Sequence, residues 1–258
     1  MRISFFAVGR LMPILLPLAF LFGCSNNESD LAARDPGAPT NRTIFSGNMY
    51  VDRHVLRPVT RLYVADVPTS AQHGVHHFLT NLKEPQVLVN DVLQGNFSRS
   101  WNTVQRFTVN TTVGCLGIFD VAQTWGLPPH KADFGQTFGV WGIGTGPDLQ
   151  LPLAGFSNVR DLAGRGLGII TDPFILITGP AASIIGGVSS GMGIFDGRSQ
   201  TLAITDSVER DSLDEYATLR SMTSQHREAF VQEGRHGKVR PVEAAAAKDI
   251  SDKITNGS

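Results

Sequence analysis

The chain is short of charge, of cysteine and of long apolar runs. Asp, Glu, Lys and Arg make up 17% of its 258 residues, against roughly 25% in an average soluble domain. The 22 basic and 23 acidic residues nearly cancel, leaving a formal charge of −1. Without an excess of clustered cation the chain cannot neutralise a phosphate backbone, which excludes a nucleic-acid partner. Two cysteines exclude a disulfide-stapled scaffold and an all-cysteine zinc site. The apolar run Leu11 to Phe22 holds twelve residues, too few for a helix across a hydrocarbon layer of ~30 Å, which takes about 20. What the chain has instead is 27 glycines and a hydrophobic content of 41%. That is enough apolar material for a core, so wholesale disorder is excluded.

Arg2 and Arg10 flank the start of the apolar run, which has the size of a signal-peptide core. It ends Leu21-Phe22-Gly23-Cys24. This resembles a bacterial lipobox, where a Leu and then a small residue precede a cysteine that becomes acylated. Phe22 departs from the usual small or β-branched residue. Residues 1–23 are therefore expected to be a signal peptide, with lipidation at Cys24. Ser25 resembles the second residue of lipoproteins sorted to the outer membrane. Several acyl chains on one cysteine anchor firmly, since each buried methylene adds about 0.8 kcal/mol. Residues 24–40 read as a lipidated flexible tether. Cleavage would leave 235 residues with a net charge of −3, and Cys115 as the only free thiol.

Residues 41–233 are expected to form a single, mainly α domain, followed by a disordered tail over 234–258 that has no Phe, Tyr or Trp. Phe45, Met49, Val55 and Leu56 fit one helix face that Pro58 ends or kinks. Val67-Pro68-Thr69 starts a helix carrying Val75, Phe78, Leu79 and Leu82. Pro85 is read as opening another, with Val87, Leu88, Val92 and Leu93, stopped by Gly95. Ser98 or Ser100 is read as capping the next helix, whose face is Trp101, Val104, Phe107, Thr108 and Thr111. From Phe134 to Phe195 the character changes: 62 residues hold 14 glycines and five charges. Pro173 to Phe195 has no charge across 23 residues. Pro180 and Gly179, Gly186, Gly187, Gly191 and Gly193 argue for a broken, membrane-inserted or pore-lining segment rather than a straight span. A charged helical pattern returns over Asp206 to Glu233.

Few motifs carry chemistry. Gly187-Val188-Ser189-Ser190-Gly191 matches a nucleophile elbow, with Asp206 and His226 in the right order for a triad. The glycines after Ser189 start a helix poorly, and in so Gly- and Ser-rich a stretch the match is cheap. His73, His76 and His77 share a helix face, yet no third metal ligand stands at a helpful spacing. Gly142 to Gly146 reads as a turn-rich loop, and Cys115 as a buried packing residue. No cofactor, metal or catalytic residue is assigned. The stronger signal is polar residues in apolar, glycine-rich sequence: Asp133, Gln136, Arg160 and Asp161. At a membrane such groups must be paired or face water.

The order of short motifs then resembles one family. Asn81-Leu82-x-Glu84-Pro85, Asn90 and Leu93-Gln94-Gly95 are followed by Arg106-Phe107, Asn110-Thr111, Gly114, Gly117 and Asp120. Next come Asp133-Phe134-Gly135-Gln136-Thr137, Gly139-x-Trp141-Gly142-x-Gly144-x-Gly146-Pro147, Leu151-Pro152 and Arg160-Asp161. Upstream stand Asp35-Pro36 and Asn41-Arg42; downstream stand Tyr216, Arg220, Gln225 and Arg227. Over residues 35–233 this is similar to the VacJ/MlaA family of outer-membrane lipoproteins. Ala38, Asp148 and Phe156 depart from its usual Glu, aromatic and Pro. The resemblance implies a mainly α, ring-like domain embedded from the periplasmic side, with an amphipathic channel. It implies a protein that is not an enzyme. Phospholipids misplaced in the outer leaflet would pass through it to a periplasmic lipid-carrier protein, maintaining lipid asymmetry, and a trimeric outer-membrane porin would be a partner. By resemblance, Asn41, Arg42, Asn81, Glu84, Pro85, Asn90, Asp133, Gln136, Trp141, Arg160 and Asp161 are candidates for the lipid path or its support. A membrane-anchored lipid hydrolase and a purely structural lipoprotein are the alternatives.

Overall fold

Helix-stop and helix-start residues divide the chain into long helices joined by short turns. The computed structural model describes residues 34–172 and 180–237. The signal peptide, Cys24 and most of the tail expected from the sequence lie outside them. Helix α1 (Ala38–Val51) runs through a π-helical stretch, Asp52–Leu56, into α2 (Arg57–Asp66). Pro58 falls in the first turn of α2. Its missing N–H and its ring disfavour an unbroken α register, and here a π bulge absorbs the mismatch. After Pro68, α3 runs over Thr69–Leu93 and ends at Gly95, whose φ is +72°. The second helix expected at Pro85 does not exist: Pro85 lies inside α3. Packing of Glu84 and Val87 against neighbouring elements holds the helix through the proline despite the lost hydrogen bond.

Helix α4 (Phe97–Thr112) starts after Asn96, not at Ser98 or Ser100. A tight turn over 114–119 follows, then the short α5 (Val121–Thr124) and α6 (Phe134–Val140), both capped by an Asp whose side chain accepts a backbone N–H. Strands β1 (Asp148–Leu151) and β2 (Gly155–Asn158) pair antiparallel, with Asp148 opposite Asn158. Then come α7 (Val159–Ile170), α8 (Pro180–Asp211) and α9 (Glu215–His236), the last closed by Gly237 in the left-handed region. The helical body thus begins at Ala38 and ends at His236, a few residues beyond 41–233 at each end.

The fold is mainly α, as expected, but the break expected within 180–195 is absent: Gly186, Gly187, Gly191 and Gly193 all lie within α8. Each interior glycine costs about 1 kcal/mol relative to Ala, and propagation adds a bond per residue once a helix is nucleated. The far half of α8 is fastened by ion pairs: Arg198–Asp52, Asp206–Arg61 and Glu209–Arg57. Among the described residues no helix is long and apolar enough to cross a membrane. The packing order closes on itself. Helix α3 packs on α8, α8 on α9, α9 on α6, and α6 on α3, so the body is ring-like around a space.

Candidate functional site

That space is a cavity of about 970 Å³, at the upper end of the range for small-ligand sites. Leu79, Lys83 and Val87 reach it from one face of α3; His226, Phe230 and Glu233 reach it from one face of α9. In each helix the spacing of three and four residues puts the side chains on a common stripe. Helix α8 contributes Gly193, Asp196, Gly197 and Gln200, and the loop before α6 contributes residues 130–133. Apolar surface from Leu79, Val87, Ala132 and Phe230 therefore alternates with charge. The cavity can hold a molecule that is part apolar and part ionic.

Behind the α3 wall lies a buried polar layer. Glu84 Oε1 accepts from Arg106 Nε at 3.2 Å, and Arg106 Nη2 reaches Asp120 at 2.9 Å. Burial pushes the Glu84 carboxyl up to about 7, with Arg106 pulling it back. Asp120 is also opposed by burial, but its bonds from Arg106 and Asn110 prevail and hold it below the usual carboxylate range. Asp91 meets Arg99 at 3.3 Å and His130 at 2.8 Å, all three fully buried. Burial lowers Arg99, against Asp91. Across α9, burial opposes the charge of Arg227, yet its bonds to Asp133 and Asp161, each 2.8 Å at the closest, outweigh it and raise its pKa. The same bonds, with Arg160, overcome burial and depress Asp161. Charges near the glycine-rich crossing of α6 and α7 are thus paired, as the expense of isolated buried charge demands.

The polarity of this body is inverted. The buried stripe of α4 is Arg99, Thr103, Arg106 and Asn110, whereas Phe97, Trp101 and Phe107 face out, Phe97 at 77% exposure. The apolar face of α4 read from the sequence is present, but it points away from the core. Among the described residues eight hydrophobic side chains are buried against twenty-two polar or charged ones. Leu116, Ile118, Phe119 and Trp125 extend the exposed apolar skin past the end of α4. In water that skin is unfavourable at about 25 cal/mol per Å². In an acyl layer it is the solvated side, and the paired ions belong inside.

Of the residues expected at the site, Glu84 and Asp133 line the cavity. Asp133 also caps α6 by accepting from Gln136 N at 2.7 Å. The others form the frame. Asn41 donates to Asp35 and to the Asp148 carbonyl and accepts from Gln150 N, tying α1 to β1. Arg42 pairs with Asp214 and lies 4.5 Å over the Tyr216 ring. Asp148, a departure from the family, pairs with Arg220 at 2.8 Å. Asn81 donates to Thr111 and to the Leu116 carbonyl, holding the 114–119 turn. Asn90 accepts from Thr137, Gln136 bonds the Phe230 carbonyl, and Trp141 donates to the Leu93 carbonyl. Arg160 pairs with Asp161 at 2.9 Å. The Pro85 side chain has no donor or acceptor to offer. Cys24 lies outside the described residues. Lys83, Lys131, Asp196 and His236 line the cavity too; only the i, i+4, i+7 and i+8 spacing of Leu79, Lys83, Gln86 and Val87 hints at the α3 stripe.

Other readings fare differently. Ser189 lies within α8 and donates to the Gly186 carbonyl at 3.1 Å. No strand–turn–helix surrounds it, and Asp206 is occupied by Arg61, so the nucleophile elbow is not formed. His76 pairs with Asp196 at 2.9 Å. Cys115 is exposed, not buried. The turn directs Gly114 and Gly117 inward, where an added Cβ of Gly117 would lie 2.3 Å from Asn81 Cβ, and leaves Cys115 outside with φ +52°.

A family model described as MlaA lipoprotein matches residues 33–230. The intermembrane phospholipid transport system lipoprotein MlaA of Escherichia coli (strain K12) is 33% identical over 255 residues, covering 95% of this chain and 96% of that protein. A Rickettsia bellii protein described as uncharacterized is 36% identical over 211 residues, 81% of this chain and 82% of its own. A solved structure from work on the structural basis for maintenance of bacterial outer membrane lipid asymmetry is similar with a TM-score of 0.68 and 30% identity. It covers 76% of this chain and 98% of its own length.

Proposed function

The chain belongs to the MlaA lipoprotein family, and from that premise we propose that it transports phospholipid at the outer membrane. It removes phospholipids misplaced in the outer leaflet and passes them to a periplasmic lipid carrier. The observation that carries this reading is the inverted polarity of the body around its cavity. The exposed aromatic and aliphatic skin suits an acyl environment, while the cavity offers a polar path for a headgroup beside apolar surface for tails. The work is translocation, so no nucleophile or metal is needed. Acylation at Cys24 anchors the chain at the periplasmic face, and a porin trimer is the partner suited to the exposed apolar belt.

Gly193 and Gly197 line the cavity, and an added Cβ on either meets nothing within 4 Å. Gly193→Trp therefore fills the cavity without a backbone clash. In the native host, deleting the gene raises outer-leaflet phospholipid; the wild-type gene restores asymmetry, and Gly193→Trp, folded and at normal abundance, does not. Full restoration by the plugged variant would count against transport through this cavity. Cys24→Ala leaves the outer-membrane fraction, which membrane fractionation measures.

A further inference from the structure

Four carboxylates and three Lys or Arg side chains line the cavity, and they are not all paired with one another. Three of its carboxylates are already engaged: Glu84 by Arg106, Asp133 by Arg227 and Asp196 by His76. The fourth, Glu233, acts on the buried Arg99. Lys83 and Lys131 line the same cavity and are exposed, and their ammonium groups have no hydrogen-bond or ion-pair partner among the described residues. Two ammonium groups without protein partners in a confined, partly apolar space are available to a bound anion.

Their backbones are also held. Lys83 stands in the middle of α3 beside Glu84, which Arg106 fastens. Lys131 follows His130, which is locked to Asp91, and its own carbonyl accepts from Arg99 Nη2 at 2.8 Å. Held backbones with long, unpartnered side chains can bring ammonium groups to a compact anion in the shared cavity. Leu79, Val87 and Phe230 supply apolar surface in the same cavity. We propose that Lys83 and Lys131 form a phosphate subsite that holds the phosphodiester of a lipid headgroup while the chains lie on the apolar wall. The assignment rests on the lipid path proposed above.

The test uses the full-length lipoprotein in non-ionic detergent and isothermal titration with three probes: dihexanoyl phosphatidylglycerol, dihexanoylglycerol and inorganic phosphate. The expected result is that the phosphatidylglycerol binds about tenfold or more tighter than the diacylglycerol, as two charge-assisted contacts imply. Lys83→Met/Lys131→Met removes that preference and leaves diacylglycerol binding unchanged, while Lys83→Arg/Lys131→Arg keeps it. Both side chains are exposed, so the fold should survive, which circular dichroism checks. Equal binding of both lipids by wild type and the Met variant overturns the subsite and leaves the lipid path standing. Lysine-dependent binding of inorganic phosphate with no binding of either lipid overturns the lipid path and assigns the subsite to free phosphate. No binding of any probe overturns both.

Discussion

On one side of the cavity, α6 and α7 cross so closely that a Cβ on Gly164 would lie 2.3 Å from the backbone nitrogen of Gly135. On the other side, α8 carries Gly186, Gly191, Gly193 and Gly197, and a Cβ on any of them would meet nothing within 4 Å. The first glycines bring backbones together, and Gly139 similarly admits Val231, whose Cγ2 would be 2.7 Å from an added Cβ. The second set does the reverse, since Gly193 and Gly197 withhold side chains from a wall that borders open space. A single compositional bias thus has two physical causes. The packed side is where polar groups are buried and paired; the α8 side keeps the cavity wide.

The largest effect should come from filling the tight crossing. Gly164→Ala places a methyl group against the Gly135 backbone, which has no flexible end that can swing away. Overpacking of this kind costs about 3 kcal/mol or more. Urea denaturation of the purified protein measures it. A loss below about 1 kcal/mol would mean that α6 and α7 can part, and the contrast between the two glycine sets would collapse.

The packed side should also respond to pH. Burial raises the Glu84 carboxyl from its ordinary 4.5 to about 7. The native form therefore holds this proton more tightly than the unfolded chain between those values. The stability it contributes is complete below about pH 4.5 and is lost as pH rises through about 7, an effect of about 3 kcal/mol. Glu84→Gln keeps an acceptor for Arg106 but carries no titrating proton. Its stability should change less than that of the wild type between pH 5 and 8. Superimposable stability–pH curves for the two proteins would remove Glu84 as the source.

Much of the packed side was legible in the sequence, because its signals are local. Val67-Pro68-Thr69 starts α3, Gly95 ends it, and the family motifs run through Asn81, Glu84, Asn90 and Arg160 in order. What local signals do not carry is direction. Trp101 and Phe107 mark an apolar face of α4, yet only tertiary packing decides that Arg99 and Arg106 turn inward instead. Pro85 and the α8 glycines read as breaks because intrinsic propensity disfavours them, and packing and helix cooperativity override it. The lysines of the cavity were not legible either. Lys83 and Lys131 are 48 positions apart and meet one space only because α3, α6, α8 and α9 close a circuit.

The smallest effect separates the two glycine sets most cleanly. Gly197 lies inside α8 with open space beside it, so Gly197→Ala gains helix propensity and loses no contact. It should stabilise the protein by up to about 1 kcal/mol. The same glycine-to-alanine change at Gly164 has the opposite sign, although both positions are helical and both border glycine-rich sequence. A methyl group occupies little of a cavity of about 970 Å³, so Gly197→Ala should still restore outer-leaflet asymmetry in a deletion strain. If it stabilises the fold but blocks transport, then Gly197 is needed for the passage of lipid close along α8 and not only for leaving the wall bare. If it destabilises, something packs on α8 that the ring alone does not supply.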